Sequence, residues 1–445
     1  MKSDNIVAIS TALGASGVAV IRISGDNPKE IAKKMFFPIE KITVEEFEPN
    51  KMYVGEIKTQ KFSDYGMCVF FKGPKSFTGE DTIEFHSHGG VAITKGILEE
   101  ALSLGARLAT NGEFTKRAFI NGKLSLSSAE GLIDMINAES VSGVKAGYSL
   151  YREKLTNKIS HLQDKITEVL SSIDVDIDYP EENLDKVSKQ TLIENITKVI
   201  EEIDKLLSTF KTGRVLKNGV SVAIVGKPNT GKSSLLNALL NIDKAIVSPV
   251  AGTTRDVVEG TIDIDGVRFN FFDTAGIRES GDTIESLGVN LSKKILEQAD
   301  LILFLLDGSD VSNDDEEIYQ LVKDKNLLTV LNKLDKGDFN DGRSNIKISA
   351  LKKENIEELK RAIYNKTIGE GIDYNGDFLS EQRHFEALKN AKEKFGYALS
   401  MVDEIPLDIV AIDIKDGWDY LGEISGKTAT EEIINDIFSR FCVGK

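Results

Sequence analysis

The sequence predicts a multidomain chain that joins an α+β part, a helical part and a doubly wound α/β part. Three observations predict it. The first roughly 120 residues are rich in β-forming runs, the pattern changes to a helical period beyond Gly143, and the apolar run 220–225 ends in Gly226-Lys227-Pro228-Asn229-Thr230-Gly231-Lys232-Ser233.

Length and charge bound the rest. A chain of 445 residues with 41% hydrophobic residues can build two or three domains with sizeable cores. Its net charge of −16 repels polyanions, so an RNA must be met by a local basic patch or through a partner. Cys68 and Cys442 cannot make a disulfide framework and show no zinc spacing, which points to a reducing compartment. No window has the length and apolarity of a membrane span, and the opening residues do not form a signal peptide. The expected location is cytoplasmic, with no membrane contact.

In the opening part, residues 18–23 and 67–71 are strand-like and bounded by Gly, Asp and Pro. The two-residue period puts Val18, Val20 and Arg22 on one face, so Arg22 either reaches water at a strand end or meets an anion. Residues 82–86 alternate too, with Glu84 and His86 opposite Ile83 and Phe85, as an ordinary solvent face would have them. His86 and His88 flank Ser87, but two imidazoles with Glu84 nearby do not make a closed metal site.

Leu155, Ile159, Leu162, Ile166, Val169 and Ile173 then recur at helical spacing, ending near Asp178-Tyr179-Pro180. Leu192, Ile196, Val199, Ile203, Leu206 and Phe210 trace a second helix, and the short acidic connection suggests an antiparallel pair. After Thr212-Gly213, strands alternate with helices. Residues 257–264 and 267–272 read as strands turned at Asp265-Gly266, and 301–306 and 327–331 as buried parallel strands. Helical patterning resumes over 380–402 and from Thr428, where Thr428-Ala429-Thr430-Glu431 resembles a capping box ahead of an Ile433, Ile434, Ile437, Phe438, Phe441 stripe.

The motifs fall in the loops where a doubly wound sheet binds nucleotide. The glycines of the loop after residue 225 let backbone N–H groups converge on phosphate, Lys232 brings charge to the outer phosphates, and Ser233 offers a hydroxyl to Mg2+. Gly252-Thr253-Thr254-Arg255-Asp256 supplies the Thr254 hydroxyl to the same metal. Asp273-Thr274-Ala275-Gly276 adds a carboxylate toward the metal and the Gly276 N–H toward the γ-phosphate. In Asn332-Lys333-Leu334-Asp335 the Asp335 carboxylate matches the donor pair of guanine, selecting GTP over ATP, and Ser349-Ala350 completes the base pocket through backbone N–H. Ile277 occupies the position that often orients the attacking water, so that role passes elsewhere: Arg278, Glu279, Asp282 and Glu285 lie just downstream, and an acidic residue there can orient the water as general base. The Asn229 side chain either coordinates a monovalent cation beside the phosphates or caps its own turn. Arg255 and Arg278 are either functional or solvated loop charges. Cys442 is either a reactive thiol or a packing residue; the end Cys442-Val443-Gly444-Lys445 is a poor prenylation box.

Gly17-Val18-Ala19-Val20-Ile21-Arg22-Ile23-Ser24-Gly25, Ser76-Phe77-Thr78-Gly79-Glu80-Asp81, His88-Gly89-Gly90, Gly112-Glu113-Phe114, the four nucleotide motifs and Phe441-Cys442-Val443-Gly444-Lys445 together resemble the MnmE (TrmE) family of tRNA-modification GTPases. The resemblance covers essentially the whole chain. It implies an N-terminal folate-binding and dimerisation α+β domain over 1–118, a helical domain over 119–214 and 372–445, and an inserted Ras-like P-loop GTPase domain over 215–371. It implies a homodimer, formyl- or methylene-tetrahydrofolate, and GTP with Mg2+ and K+. It also implies an FAD-dependent MnmG/GidA-type partner in a heterotetramer or larger complex, and wobble-uridine modification of tRNA by an aminomethyl or carboxymethylaminomethyl group on carbon 5. Carried over, Arg22, Glu84, Lys123 and Lys445 match folate-contacting positions. Asn229, Ser248, Val250 and Thr253 match the potassium site, Ser233 and Thr254 the magnesium ligands, and Glu285 the water-activating glutamate. Thr230, Gly231, Ser234, Pro249, Ala251 and Gly252 complete the nucleotide contacts. Ala15-Ser16 stands where the family usually has a glycine-arginine pair, and Phe85-His86-Ser87 also departs from its usual residues. The competing class is a GTP-dependent ribosome-assembly or RNA-surveillance switch, from which folate binding distinguishes the family reading.

Overall fold

The computed structural model describes residues 4–178, 189–242, 260–273, 296–310, 313–337, 342–369 and 378–445. It divides into two units, one of residues 1–133, 150–200 and 390–445, the other of 134–149 and 201–389.

The first unit is built on a seven-stranded sheet. Its elements in chain order are β1 (Ile6–Ile9), β2 (Ala19–Gly25), α1 (Lys29–Met35), β3 (Phe36–Pro38), β4 (Met52–Lys58), β5 (Ser63–Phe71), β6 (Asp81–Ser87), α2 (Val91–Ser103), β7 (Arg107–Leu108) and α3 (Glu113–Ile120). The spatial order is β3-β4-β5-β6-β2-β1-β7, antiparallel except for β1 with β7. One face carries the core, where Ile21, Ile23, Phe36, Tyr53, Cys68, Ile83 and Phe85 pack with α1 and α2. Period-two alternation sends Val20 and Arg22, Glu84 and His86, Met67, and Met52 and Val54 to the other face.

Beyond α4 (Leu126–Asn137) and α5 (Val141–Tyr151) comes α6 (Lys154–Asp178), whose predicted stripe from Leu155 to Ile173 is buried throughout. In α7 (Lys189–Ser208), Leu192, Ile196, Val199, Ile203 and Leu206 are buried as expected. Phe210 is not part of that helix: the chain breaks at Thr209 and Phe210 opens α8 (Phe210–Asn218).

The second unit holds a six-stranded sheet of β8 (Val220–Val225), β9 (Gly260–Ile264), β10 (Val267–Asp273), β11 (Leu301–Asp307), β12 (Leu327–Asn332) and β13 (Ile346–Lys347), in the order β13-β12-β11-β8-β10-β9. All neighbours are parallel except β9 with β10, which turn at Asp265 and Gly266, both with positive φ. Helices α9 (Lys232–Ile242), α10 (Asn313–Val322) and α11 (Ile356–Thr367) accompany the strands. One sheet face packs Leu235, Leu239, Leu359 and Ile363, and the other packs Val322 and Ile318, so every residue of β11 is buried.

Among the remaining helices, α12 (Gln382–Met401) follows the predicted pattern, whereas α13 (Leu407–Ser425) is one the sequence reading did not identify. It packs close along α6, with the Trp418 indole N–H donating to Gln163 O at 3.2 Å and Thr167 Oγ1 at 3.0 Å. In α14 (Glu431–Ser439) the cap is Thr430, which accepts from the Ile433 N–H; the Thr428 hydroxyl instead donates to Asp419 O. The helix start therefore lies two residues beyond the expected one and carries no capping box, since Ile433 stands at its third position and Thr428 is already engaged with α13. Among the described residues no helix is long and apolar enough to cross a membrane.

Candidate functional site

The phosphate-loop sequence lies at the carboxyl end of β8, between that strand and α9. Gly231 has φ +94°, and a Cβ there would stand 2.4 Å from the Asn332 amide nitrogen; one on Gly226 would stand 2.4 Å from Leu305 O. Packing therefore dictates both glycines, independently of any ligand. Asn229 also has a positive φ of 64° and an exposed side chain. Lys232 is 6% exposed, and its ammonium donates to Gly226 O at 2.9 Å and Lys227 O at 3.0 Å, which holds the charge over the loop. Ser233 and Ser234 follow in the exposed first turn of α9, where unpaired backbone N–H groups and the helix dipole favour an anion.

The neighbouring strand ends converge on the same loop. Asn332, buried at the end of β12, donates to Thr230 O at 2.8 Å and accepts from the Ala350 N–H at 3.0 Å, tying the phosphate loop to the Ser349-Ala350 turn. The Ala350 N–H is thus spent on Asn332. Lys333 donates to Asn229 O and to Asp307 Oδ2, each at 2.6 Å. Burial works to raise the Asp307 carboxyl, but Lys333 and Ser309 outweigh it and hold the group below its ordinary range. Sequence reasoning missed Asp307; its signal was a carboxylate ending the buried run 301–306. Asp335 accepts from the Ser349 hydroxyl at 2.6 Å, and this bond lowers its pKa. The carboxylate that would read guanine is ionised and fixed in direction.

Ser248, Pro249, Val250, Ala251, Gly252, Thr253, Thr254, Arg255, Thr274, Ala275, Gly276, Arg278, Glu279, Asp282 and Glu285 lie outside the described residues, as does the Asp273 side chain.

A second group forms on the free face of the seven-stranded sheet. Arg22 and Glu84 are cross-strand partners on β2 and β6, and Arg22 Nε donates to Glu84 Oε1 at 2.7 Å. The guanidinium lies 5.5 Å from the Phe77 ring centroid and 5.7 Å from that of Phe114. His86 Nε2 stands 3.3 Å from the other Glu84 oxygen. Burial pushes the Glu84 carboxyl up, while His86 and Arg22 together bring it below the usual range. Arg22 therefore meets an anion within the chain, and Glu84 is not on an ordinary solvent face. His88 is drawn away from this group: its Nδ1 stands 2.7 Å from Asp64 Oδ1.

The segment 442–445 docks beside this group. The Gly112 N–H donates to Cys442 O at 3.4 Å, Val443 bridges to Asn111, and a Cβ on Gly444 would lie 2.3 Å from Ile9 O. Gly112 sits two residues before Phe114, whose ring lies against Arg22, so residues from both ends of the sequence meet at one corner of the sheet. Lys123 is turned outward and donates to Pro74 O at 2.9 Å. Cys442 is exposed, while burial pushes the Cys68 thiol strongly up.

Comparison with known proteins gives this geometry a family. A model of the MnmE helical domain matches residues 126–442, and a model of the GTP-binding protein TrmE N-terminus matches residues 5–123. The chain is 41% identical to the tRNA modification GTPase MnmE of Clostridioides difficile (strain 630), over 99% of both proteins. It belongs to the MnmE family. A second MnmE, from Thermoanaerobacter pseudethanolicus, is 40% identical over 100% of each chain. As a member of that family of tRNA-modification GTPases, the MnmE-type chain has its nucleotide module in the doubly wound sheet and its TrmE-type region in the sheet that carries Arg22 and Glu84.

Proposed function

We propose that this chain is a potassium-activated GTPase. With a flavin-dependent MnmG/GidA-type partner it adds an aminomethyl or carboxymethylaminomethyl group to carbon 5 of the wobble uridine of certain tRNAs. The observation that carries the guanine-nucleotide part of this reading is the fixed Asp335 carboxylate on a loop that Asn332 and Lys333 fasten to the phosphate loop, and family membership supports the rest. Base and phosphates would be held by one rigid unit.

Ser233, with Thr254, would hold Mg2+, and Asn229, Ser248, Val250 and Thr253 would hold K+, which supplies positive charge where negative charge develops between the phosphates. The left-handed Asn229 backbone and its exposed side chain suit a ligand role. Lys232 positions the outer phosphates, Gly276 with Arg278 orients the γ-phosphate, and Glu285 takes the proton of the attacking water.

Arg22 and Glu84, with Lys123 and Lys445, would bind formyl- or methylene-tetrahydrofolate. Phe77, half-buried beside Arg22, offers a face for its flat ring, fully buried Phe114 backs the guanidinium, and the Glu84 carboxylate offers acceptors for its amino group. The same sheet face exposes Met52, Val54 and Tyr65, and Phe37 on β3 continues it, an apolar surface that supports a homodimer through the N-terminal part. The division at 118, 214 and 371 follows from this reading.

The test is GTP hydrolysis at fixed ionic strength in potassium and in sodium, with Asn229→Ala and Glu285→Ala beside the wild type. Potassium is expected to accelerate turnover, Asn229→Ala to remove that acceleration, and Glu285→Ala to slow hydrolysis while nucleotide still binds. Equal rates in the two salts would refute the potassium role.

A further inference from the structure

The hairpin of β9 and β10 lies in sequence between the two segments that carry Thr254 and Gly276. Its turn is fastened to the start of α5. The Ser142 N–H, in the first turn of α5, donates to Gly266 O at 3.1 Å, and its hydroxyl donates to Leu216 O at 3.0 Å. Glu139, just before α5, pairs with Arg268 of β10 at 2.8 Å. Asn270 of β10 donates to Asn218 O at 3.2 Å, and Gly219 takes the close approach of Arg268, where a Cβ would stand 2.6 Å from its carbonyl.

A second fastening adjoins the first. Lys217, at the end of α8 and immediately before the nucleotide module, pairs with Asp134 of α4 at 2.8 Å and with Glu381, immediately before α12. One ammonium thus holds the point where the chain enters the module, the point where it has returned from it, and the helix leading to α5. Asp134, Glu139, Lys217 and Arg268 line a single cleft of about 190 Å³. Within it, Asp134 Oδ2 and Arg268 Nε are buried without hydrogen-bond partners in the structure, so the ion pairs are under-satisfied and tolerate rearrangement.

We propose that Glu139 and Arg268, with the Lys217 cluster beside them, are positioning residues that transmit the nucleotide state of the module to the α4–α5 connection. The hairpin acts as the lever, and the Glu139–Arg268 pair is its attachment. Neither residue touches nucleotide. This inference rests on the reading of the chain as a GTP-driven switch.

The experiment is amide hydrogen exchange of the full chain with GDP and with a non-hydrolysable GTP analogue, following peptides within 134–149. The variants are Glu139→Gln, Arg268→Gln and the charge swap of Glu139→Arg with Arg268→Glu. In the wild type the analogue is expected to change exchange in this segment by about fivefold, the lower end of ordinary coupling energies. Each single variant should bind the analogue with wild-type affinity and melt as a folded protein, yet lose the nucleotide-dependent difference; the swap should recover it. Single variants that keep the full difference would overturn the proposal, as would a wild type that binds both nucleotides without any difference in 134–149. A wild type that binds neither nucleotide would instead refute the switch reading itself, and the inference with it.

Discussion

The phosphate loop and the Arg22–Glu84 group are built on opposite plans. The first is contiguous: Gly226 to Ser233 are eight successive residues, and most of what they offer a ligand is backbone. The second is assembled from β2, β6, Phe77 and Phe114 of α3, with the segment 442–445 docked beside it through backbone contacts, and what it offers is side chains. A backbone site needs a particular local conformation, which a short motif can encode. A side-chain site needs a sheet register, which no short motif contains.

Removing a charge from each plan sharpens the contrast. Lys232→Ala is expected to lower GTP turnover by on the order of 10³-fold, since it deletes charge stabilisation at the transferring phosphate, as single-turnover hydrolysis would show. Asp335→Asn should weaken GTP binding by on the order of 10²-fold and erode discrimination against ATP, because two hydrogen bonds to an ionised acceptor are lost. Competition binding with labelled nucleotide reads both effects. If Asp335→Asn left selectivity intact, the base pocket would lie elsewhere. On the sheet, Arg22→Gln should weaken tetrahydrofolate binding by about tenfold or more, measured by calorimetry, and leave GTP turnover unchanged. A parallel loss of turnover would show that the two plans are not independent.

How far each plan could be read in advance follows from this difference. The strand 220–225, the buried runs 301–306 and 327–331 and the Asp265-Gly266 turn are local patterns, and the structure has them where the pattern puts them. The role of Arg22 stayed open in the residues alone, because its partner Glu84 is 62 positions away and its ring neighbours Phe77 and Phe114 are likewise remote in sequence. Helix α13 was missed although Val410, Ile414, Leu421 and Ile424 have helical spacing and are all buried. Its acidic residues and glycines obscured the stripe, and Gly417 and Gly422 make physical sense only once Phe395 and Gln163 are seen against them. The Thr428 cap failed for a similar reason: two threonines compete for one helix start, and the bond from Thr428 to Asp419 decides between them.

Smaller effects probe the joints of the two regions. Gly444→Ala forces a side chain into a left-handed backbone position against Ile9 O, so a loss of about 1–3 kcal/mol is expected in denaturant melts. Burial pushes the Asp134 carboxyl up to about 7, Glu381 adding to the shift and Lys217 opposing it. A carboxyl raised above its unfolded value stabilises the fold at low pH, and that contribution is lost as pH rises toward and through the folded value. Asp134→Asn should therefore flatten the decline in stability between about pH 4 and pH 7, by on the order of 1 kcal/mol. An unchanged profile would mean that Asp134 is already ionised across that range.

The host fold gives up and recovers the chain at almost one point. The Leu379 N–H donates to Thr209 Oγ1 at 3.0 Å, and Phe210 and Phe385 stack with ring centroids 4.5 Å apart. Seen from the host, everything between these contacts is one loop whose mouth is already shut. The entropy of closing a loop grows only with the logarithm of its length, about 0.6 kcal/mol for each doubling, so lengthening a module that is already this long costs its mouth little. Its growth or shrinkage by insertions would be nearly invisible to the helices that carry it.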